Sequence, residues 1–227
     1  MLYLIGLLVL LAVVFLPQVW VQRVLARYNR SPEANFPGTG GEFARHLLER
    51  LGLHEVQVEK TEQGDHYDPN ARCVRLTADK FDGRTLTAIT VAAHECGHAL
   101  QHAGGERLFR LRTHLARTAV GAAQIGSLLV FAAPMLGVLS RAPSPALLSL
   151  LGGFLIMGFG VLVQLVTLPV EIDASFRKAL PVLEAGYLEP AQVPAARRIL
   201  RAAAWTYVAA SLASLLNFWR WLAVLRR

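Results

Sequence analysis

Four long apolar stretches constrain this chain more than any other feature of its sequence. They cover about 2–20, 119–139, 145–168 and 202–222. A helix needs roughly 20 apolar residues to cross the hydrocarbon core of a bilayer. The composition agrees, because 54% of the residues are hydrophobic and only 17% are charged, whereas a soluble domain carries about 25% charged residues. The sequence therefore predicts a membrane protein with three to four transmembrane helices.

The apolar stretches differ in what they predict. The first lacks the positively charged start and the small-residue cleavage site of a signal peptide, so we expect it to remain as an anchor. The two central stretches are joined by a short loop and predict a helical hairpin. The last is interrupted by Arg220, so a transmembrane crossing and an interfacial position both stay open.

The charge of the chain is strongly basic, with a formal net charge of +7. Its arginines flank the apolar stretches, which favours an anionic membrane surface as the partner. We find no nucleic-acid motif and expect no nucleic-acid partner. The loop of the predicted hairpin carries only Arg141. By the positive-inside rule, the polar region and the segment around Glu171 should both lie on the cytoplasmic side.

The polar region over 21–117 carries the signals of a small domain. Apolar residues at helical spacing predict a helix over Glu42–Leu51. Alternating apolar and polar residues predict short strands at Val56–Val58 and Val74–Leu76. A longer helix is predicted from about Thr85 to His102. The fold class is therefore α+β and mostly helical, joined to membrane helices.

The predicted long helix contains the motif His94-Glu95-Cys96-Gly97-His98, an H-E-x-x-H pattern. Residues four apart share one face of a helix, so His94 and His98 can bind one metal ion. Zinc accepts imidazole nitrogens and can lower the pKa of a bound water to about 7. Glu95 is then the candidate base that accepts a proton from this water. The alternative is a solvated helix with two surface histidines.

A catalytic zinc needs a third protein ligand. His102 is excluded, because a helix rises about 1.5 Å per residue and would hold it about 12 Å from His94. Glu171, at the end of the third apolar stretch, is a candidate ligand, but it could equally mark the helix end or pair with Arg177 or Lys178. Asp173 could orient a zinc-bound histidine through its other ring nitrogen, or it could be a solvated surface residue.

Three segments resemble one protein family. They are Ala92–Gln101 around the motif, Asp65-His66-Tyr67-Asp68-Pro69, and Leu168-Pro169-Val170-Glu171. Together with the order of anchor, metal domain and hairpin, they are similar to the YugP-type neutral zinc metallopeptidases of bacteria. The resemblance covers most of the chain. It implies a zinc-dependent peptidase fold, one Zn²⁺ per chain, and Glu171 as the third ligand.

The Asp65–Pro69 string allows a further hypothesis about catalysis. Zinc peptidases often use a His or Tyr to stabilise the oxyanion formed during attack on a peptide carbonyl, and His66 or Tyr67 could do this. The alternative is a turn in which Asp65 and Asp68 bond local backbone groups. The two cysteines, Cys73 and Cys96, are expected to be free thiols. Members of the family usually have an aliphatic residue in place of Cys96, which should face away from the site.

The sequence thus predicts a zincin-like metallopeptidase, multi-pass in a bacterial inner membrane, that cleaves a peptide or membrane-protein substrate at the cytoplasmic face. It favours no particular oligomeric state. One alternative is a non-catalytic scaffold that keeps zinc for structure; a transporter lacks support, because no ionisable residue lies within the two central apolar stretches. The predicted order is an anchor at 1–20, the metal domain at 21–117, a transmembrane hairpin at 118–169, the Glu171 segment at 170–201 and a C-terminal transmembrane or interfacial helix at 202–227.

Overall fold

A computed structural model describes residues 2–29, 36–140 and 143–206, which are mostly helical with one small sheet. They fall into two compact units, a larger one of Leu16–Arg110 and Leu168–Thr206 and a smaller one that includes Leu111–Thr167. The elements are α1 Leu2–Asn29, α2 Gly40–Arg50, β1 Gln57–Thr61, β2 His66–Asp68, β3 Cys73–Thr77, α3 Ala78–Phe81, α4 Leu86–Ala103, α5 Arg107–Ser140, α6 Pro143–Ile172, α7 Leu180–Glu184 and α8 at 193–206. A seven-residue π-helical segment, Asp173–Ala179, separates α6 from α7.

Helix α2 has the apolar face that its sequence predicts, and it begins at Gly40, two residues before the predicted start. Thr39 and Glu42 form a reciprocal capping box, in which the Thr39 side chain accepts from the Glu42 N–H and the Glu42 side chain accepts from the Thr39 N–H. Such a box satisfies two amide groups that the first turn leaves without helical partners. Phe43, Leu47 and Leu48 are buried in the core of the larger unit. Burial of this face is what fixes α2 against α4.

The sheet has the strand order β1-β3-β2, with β1 parallel and β2 antiparallel to β3. The strands β1 and β3 lie at or next to their predicted positions, but β2 falls where the sequence predicts only a turn. Asp68 behaves as the turn hypothesis expects, since it accepts from the N–H groups of Asn70 and Ala71. Asp65 instead accepts from the N–H and hydroxyl of Thr77, twelve positions further along the chain. It therefore ties the start of β2 to the end of β3.

Helix α4 forms the centre of the larger unit. It begins where predicted, because the Thr85 side chain accepts from the Ala88 N–H as an N-cap. Residues 86–99 are all buried, so this helix is enclosed rather than amphipathic. The π-helical segment packs closely on it at Gly97, where an added Cβ atom would lie 2.8 Å from the Ala174 carbonyl oxygen. The absence of a side chain at Gly97 permits this close approach.

The smaller unit contains most of α5 and α6, the region of the predicted hairpin. Within it, the Ser149 hydroxyl donates to the Leu129 carbonyl at 2.7 Å, joining the two helices. Among the described residues, the stretch Arg107–Ala133 of α5 is long and apolar enough to cross a membrane. Three to four spanning helices therefore remain a prediction. Most of the predicted fourth stretch, beyond Thr206, lies outside the described residues.

Candidate metal centre

The two motif histidines meet as their spacing on α4 predicts. His94 and His98 are 4% and 3% exposed, and their ring centroids lie 4.7 Å apart in an edge-to-face arrangement. Surface histidines would be exposed to solvent, so the alternative of a solvated helix with two surface histidines is wrong. Two imidazoles buried side by side need a polar group or a metal ion to satisfy their inner nitrogens.

Glu171, one residue before the end of α6, supplies that polar group. Its carboxylate is fully buried, and one oxygen, Oε2, lies 3.2 Å from His94 Nε2 and 3.3 Å from His98 Nε2. Within the described part of the chain, these three residues form a group whose potential ligand atoms all lie within 4.8 Å of one another. Arg177 and Lys178, the other partners considered for Glu171, contact Asp173.

The environment of Glu171 favours its ionised form. Burial by itself would raise the pKa of this carboxyl, but the charge of His98 and hydrogen bonds from both histidines hold the pKa well below its usual range. A carboxylate must be deprotonated to bind a metal ion. The fully enclosed Glu171 is therefore kept in the form that a metal ligand requires.

Each histidine has its second ring nitrogen engaged by a neighbouring side chain. His98 Nδ1 lies 2.9 Å from Gln101 Oε1, and His94 Nδ1 lies 3.1 Å from Ser175 Oγ. Metal-binding histidines characteristically use one nitrogen for the ion and donate the other N–H to such a partner. In both histidines, the nitrogen that faces Glu171 is the one left for a ligand bond.

The arrangement fits a zinc ion. Catalytic zinc is held by three protein ligands such as two His and one Glu, with bonds of about 2.0–2.2 Å, and a tetrahedral ion with such bonds would separate its ligand atoms by roughly 3.3 Å. The two measured Nε2 to Oε2 distances of 3.2 and 3.3 Å match that spacing. The donor set also lacks the cysteines that usually complete a closed structural site.

Glu95 and Cys96 occupy two of the three positions between His94 and His98. Glu95 is 6% exposed and follows His94 directly on α4. The Cys96 thiol points to the Ala44 carbonyl of α2 at 3.8 Å, away from the histidines, as expected. Burial, followed by the charge of Glu95, raises the pKa of this thiol far above its ordinary value. Cys96 is therefore an apolar packing residue and not a thiolate ligand.

Asp173 contacts Gln101, whereas its position in the sequence suggests a direct contact with a histidine. Its Oδ2 atom accepts from Gln101 Nε2 at 2.8 Å, and Gln101 in turn contacts His98. The sequence predicts that Asp173 orients a zinc-bound histidine, but it does not predict that Gln101 lies between Asp173 and His98. Gln101 and Ser175 are the two site residues that sequence reasoning missed. Their signal is spacing, since Gln101 follows His98 by three positions and Ser175 follows Glu171 by four.

The Asp65–Pro69 string lies beside α4, and its His66 and Tyr67 side chains contact groups other than the three candidate ligands. His66 Nδ1 is 2.8 Å from the Gly64 carbonyl of its own turn. Tyr67 is buried, and its hydroxyl lies 2.8 Å from His102 Nδ1, so the excluded ligand His102 serves this phenol instead. Burial raises the pKa of Tyr67 to about 12, and the phenol therefore keeps its proton at neutral pH.

Tyr67 and His102 also line a cavity of about 280 Å³. Burial and the charge of Arg72 lower the pKa of His102, so this imidazole is neutral at pH 7. Phe109 stacks on His102 with ring centroids 5.6 Å apart and lies 6.1 Å from the ring of His98. The cavity is thus separated from the metal ligands by one aromatic side chain and one helical turn.

Comparisons with known proteins agree with this geometry. Residues 3–226 match the family described as "Putative neutral zinc metallopeptidase". The chain is also 36% identical over 213 residues to "Putative membrane protease YugP" of Bacillus subtilis (strain 168), an alignment that covers 92% of this chain and 90% of the relative. No solved structure matches. The match along nearly the whole chain establishes that this protein belongs to the neutral zinc metallopeptidase family.

Proposed function

We propose that this protein is a membrane-bound zinc metallopeptidase that hydrolyses a peptide bond with a water molecule activated by Glu95. The observation that carries the proposal is the convergence of His94 Nε2 and His98 Nε2 on the buried Glu171 carboxylate. The family match supports the same chemistry. One zinc ion per chain would be held by His94, His98 and Glu171. When bound, it would polarise the substrate carbonyl and lower the pKa of water.

Glu95 has the central role among the residues of the chain. It accepts a proton from the water whose oxygen attacks the peptide carbonyl carbon. It then delivers that proton to the amide nitrogen as the carbon–nitrogen bond breaks. Its burial beside His94 places the carboxylate in a low-dielectric setting, where proton transfer and charge stabilisation are more effective than in water.

The developing oxyanion needs a hydrogen-bond donor, and His66 and Tyr67 are the candidates. Tyr67 is the stronger, because its buried phenol stays protonated and is adjacent to the aromatic ring of Phe109, which also contacts His98. To act on substrate, Tyr67 would exchange its contact with His102 for one with the oxyanion.

A non-catalytic zinc scaffold is the competing function. Two features argue against it: the donor set has three residues with no cysteine, and a second acidic side chain, Glu95, is buried next to a ligand. In the peptidase proposal this second carboxylate is the group that accepts the proton of the attacking water.

The substrate is proposed to be a peptide or a membrane protein, cleaved at the cytoplasmic face of the bacterial inner membrane. The description of the Bacillus subtilis relative as a membrane protease and the apolar stretch Arg107–Ala133 support a membrane location. Exposed apolar side chains on α5 support it as well, such as Phe131 and Val138, which are 79% and 78% exposed. Large exposed apolar faces are unusual on a soluble protein.

Replacement of Glu95 by Gln tests the proposed chemistry. The amide keeps the size of the side chain but cannot accept the proton, so peptide cleavage by the detergent-solubilised chain should fall by at least about 10²-fold. Zinc content should stay at the wild-type level, because Glu95 is not a ligand. Undiminished cleavage in a zinc-loaded Glu95→Gln variant would refute the role of Glu95.

A further inference from the structure

Gln101 contacts both halves of the metal centre. It is 1% exposed, lies on α4 one turn after His98, and has no contact with solvent. Its amide nitrogen donates to the Val170 carbonyl at 2.9 Å and to Asp173 Oδ2 at 2.8 Å. Those two acceptors flank Glu171 in the sequence. Its amide oxygen lies 2.9 Å from His98 Nδ1. A single side chain therefore joins a histidine ligand to the segment that carries the carboxylate ligand.

The hydrogen-bond partners decide which way this amide points. A backbone carbonyl and a carboxylate can only accept, so both must face the amide nitrogen. The amide oxygen is then the atom directed at His98, and an oxygen can only accept. His98 must accordingly carry a proton on Nδ1, and Nε2, which lies against Glu171, is the nitrogen that would give up its proton to bind an ion.

Asp173 is itself held in place on its far side. Lys178 Nζ lies 3.2 Å from Asp173 Oδ2 and 2.6 Å from Glu106 Oε1, and the Lys178 side chain is only 17% exposed. The chain of contacts runs from His98 through Gln101 and Asp173 to Lys178. Each member is fixed by a partner beyond it, which limits the freedom of the amide.

We propose that Gln101 is a positioning residue for the metal centre: it holds His98 in the tautomer that offers Nε2 to the ion and couples this histidine to the Glu171 segment. Asp173 acts through Gln101 and not on the histidine. The inference rests on the proposed zinc function, and it assigns part of the zinc affinity to a residue that does not touch the ion.

The test measures the zinc dissociation constant of the full chain in detergent, by competition with a chelator, for wild type and variants. Gln101→Met keeps the length of the side chain but removes the donor and the acceptor. We expect it to bind zinc about 10–100-fold more weakly. The visible spectrum of the Co²⁺-loaded protein should change as well, because His98 is no longer held in one orientation.

A matched control separates positioning from general stability. Leu76→Ala removes a fully buried side chain of β3 that takes no part in these contacts. It should lower the unfolding temperature while leaving the zinc dissociation constant and the Co²⁺ spectrum as in wild type. A shift in zinc affinity of the same size in Leu76→Ala and Gln101→Met would overturn the proposal, because affinity would then follow stability alone.

A double-mutant cycle tests the route through Gln101, and it does not depend on Gln101→Met alone. Asp173→Ala should weaken zinc binding in the wild-type background but add nothing to Gln101→Met, because contacts in series are not additive. Additive effects would contradict the relay. If wild type binds zinc and both Gln101→Met and Asp173→Ala match its affinity, this inference fails while the proposed function stands. If wild type binds no zinc, the proposed function itself fails.

Discussion

Gly97 shows how one residue governs the assembly of the centre. It lies between the two ligands on α4, and the backbone of the Glu171 segment approaches it so closely that an added Cβ atom would lie 2.8 Å from the Ala174 carbonyl oxygen. Backbone atoms cannot move aside as a flexible side chain can. The size of this residue therefore controls the distance between the histidines and the segment that follows Glu171.

Gly97→Ala should destabilise the protein by about 1–3 kcal/mol, because the new methyl group overpacks a backbone contact. An ordinary helical Gly→Ala change stabilises by roughly 0.5–1 kcal/mol. Thermal unfolding of the full chain in detergent measures the difference. Gly121→Ala is the matched control, since that glycine is helical and a Cβ there would meet nothing within 4 Å. Equal stability changes at the two positions would contradict the close approach.

Ser175 is a direct neighbour of the candidate ligand His94 and should therefore contribute to zinc affinity. Its hydroxyl donates to the Leu200 carbonyl at 3.4 Å and lies 3.1 Å from His94 Nδ1, where it can accept. Ser175→Ala should weaken zinc binding by about 10-fold. Ser127→Ala removes an exposed hydroxyl that donates to the Gln124 carbonyl of its own helix, and it should leave zinc binding unchanged. An unaltered affinity in Ser175→Ala would contradict this role.

At the scale of elements, the helices were more predictable than the sheet. Apolar residues at helical spacing predict α2 and α4, and the period of α4 alone predicts that His94 and His98 share one face. Strand β2 is only three residues long and exists because Asp68 and Tyr67 pair with β3, a tertiary effect without a local pattern. Glu171 stayed ambiguous from its residues because its partners lie on a distant helix. Ser175 likewise contacts His94 from another element, and Gln101, although it is three positions from His98 on α4, takes its other two partners from the Glu171 segment.

The turn after β2 should confer a pH dependence on stability. Burial would raise the pKa of Asp68, but the N–H groups of Asn70 and Ala71 and the guanidinium of Arg75 lower it below 3.8. A carboxyl whose pKa is depressed on folding stabilises the protein above its unfolded pKa, and this contribution is lost as the pH falls through the folded pKa. Asp68→Asn should therefore destabilise the protein at pH 7, and this difference should shrink as the pH falls below the unfolded pKa of the carboxyl.

Denaturant unfolding of wild type and Asp68→Asn at several pH values checks this prediction. The gap between their unfolding free energies should be widest above pH 5 and should narrow below about pH 4. A gap that stays constant down to pH 2 would mean that the charge of Asp68 does not stabilise the turn, and that the carboxylate contacts with Arg75 and the backbone matter only by shape.

At the scale of the whole molecule, the two compact units correspond to two kinds of sequence. The larger unit contains the motif helix, the sheet and all three candidate ligands. The smaller includes Leu111–Thr167, most of the two central apolar stretches. The compositions of the two units differ in a way that suits different surroundings, because apolar runs and mixed polar segments bury their surfaces differently. Composition alone does not predict that Glu171, directly after the second of these stretches, lies beside the histidines.

The proposed topology predicts which sites can be labelled from each side of the membrane. A cysteine introduced by Glu62→Cys, in the exposed turn after β1, should react with a membrane-impermeant maleimide only after the cells are opened. One introduced by Arg141→Cys, in the loop between the central apolar stretches, should react in intact cells. Cys73 and Cys96 are both buried and should give little background. Labelling of Glu62→Cys in intact cells would reverse the proposed orientation.

Zinc content per chain is the most direct test of the central claim. Purified wild type should contain one zinc ion per chain, and both His98→Ala and Glu171→Ala should lose it while remaining folded, because each removes one of three ligands. Glu95→Gln should keep its zinc. A well-folded wild-type chain without zinc, or a Glu171→Ala variant that binds zinc as tightly as wild type, would contradict the three-ligand centre and the peptidase mechanism built on it.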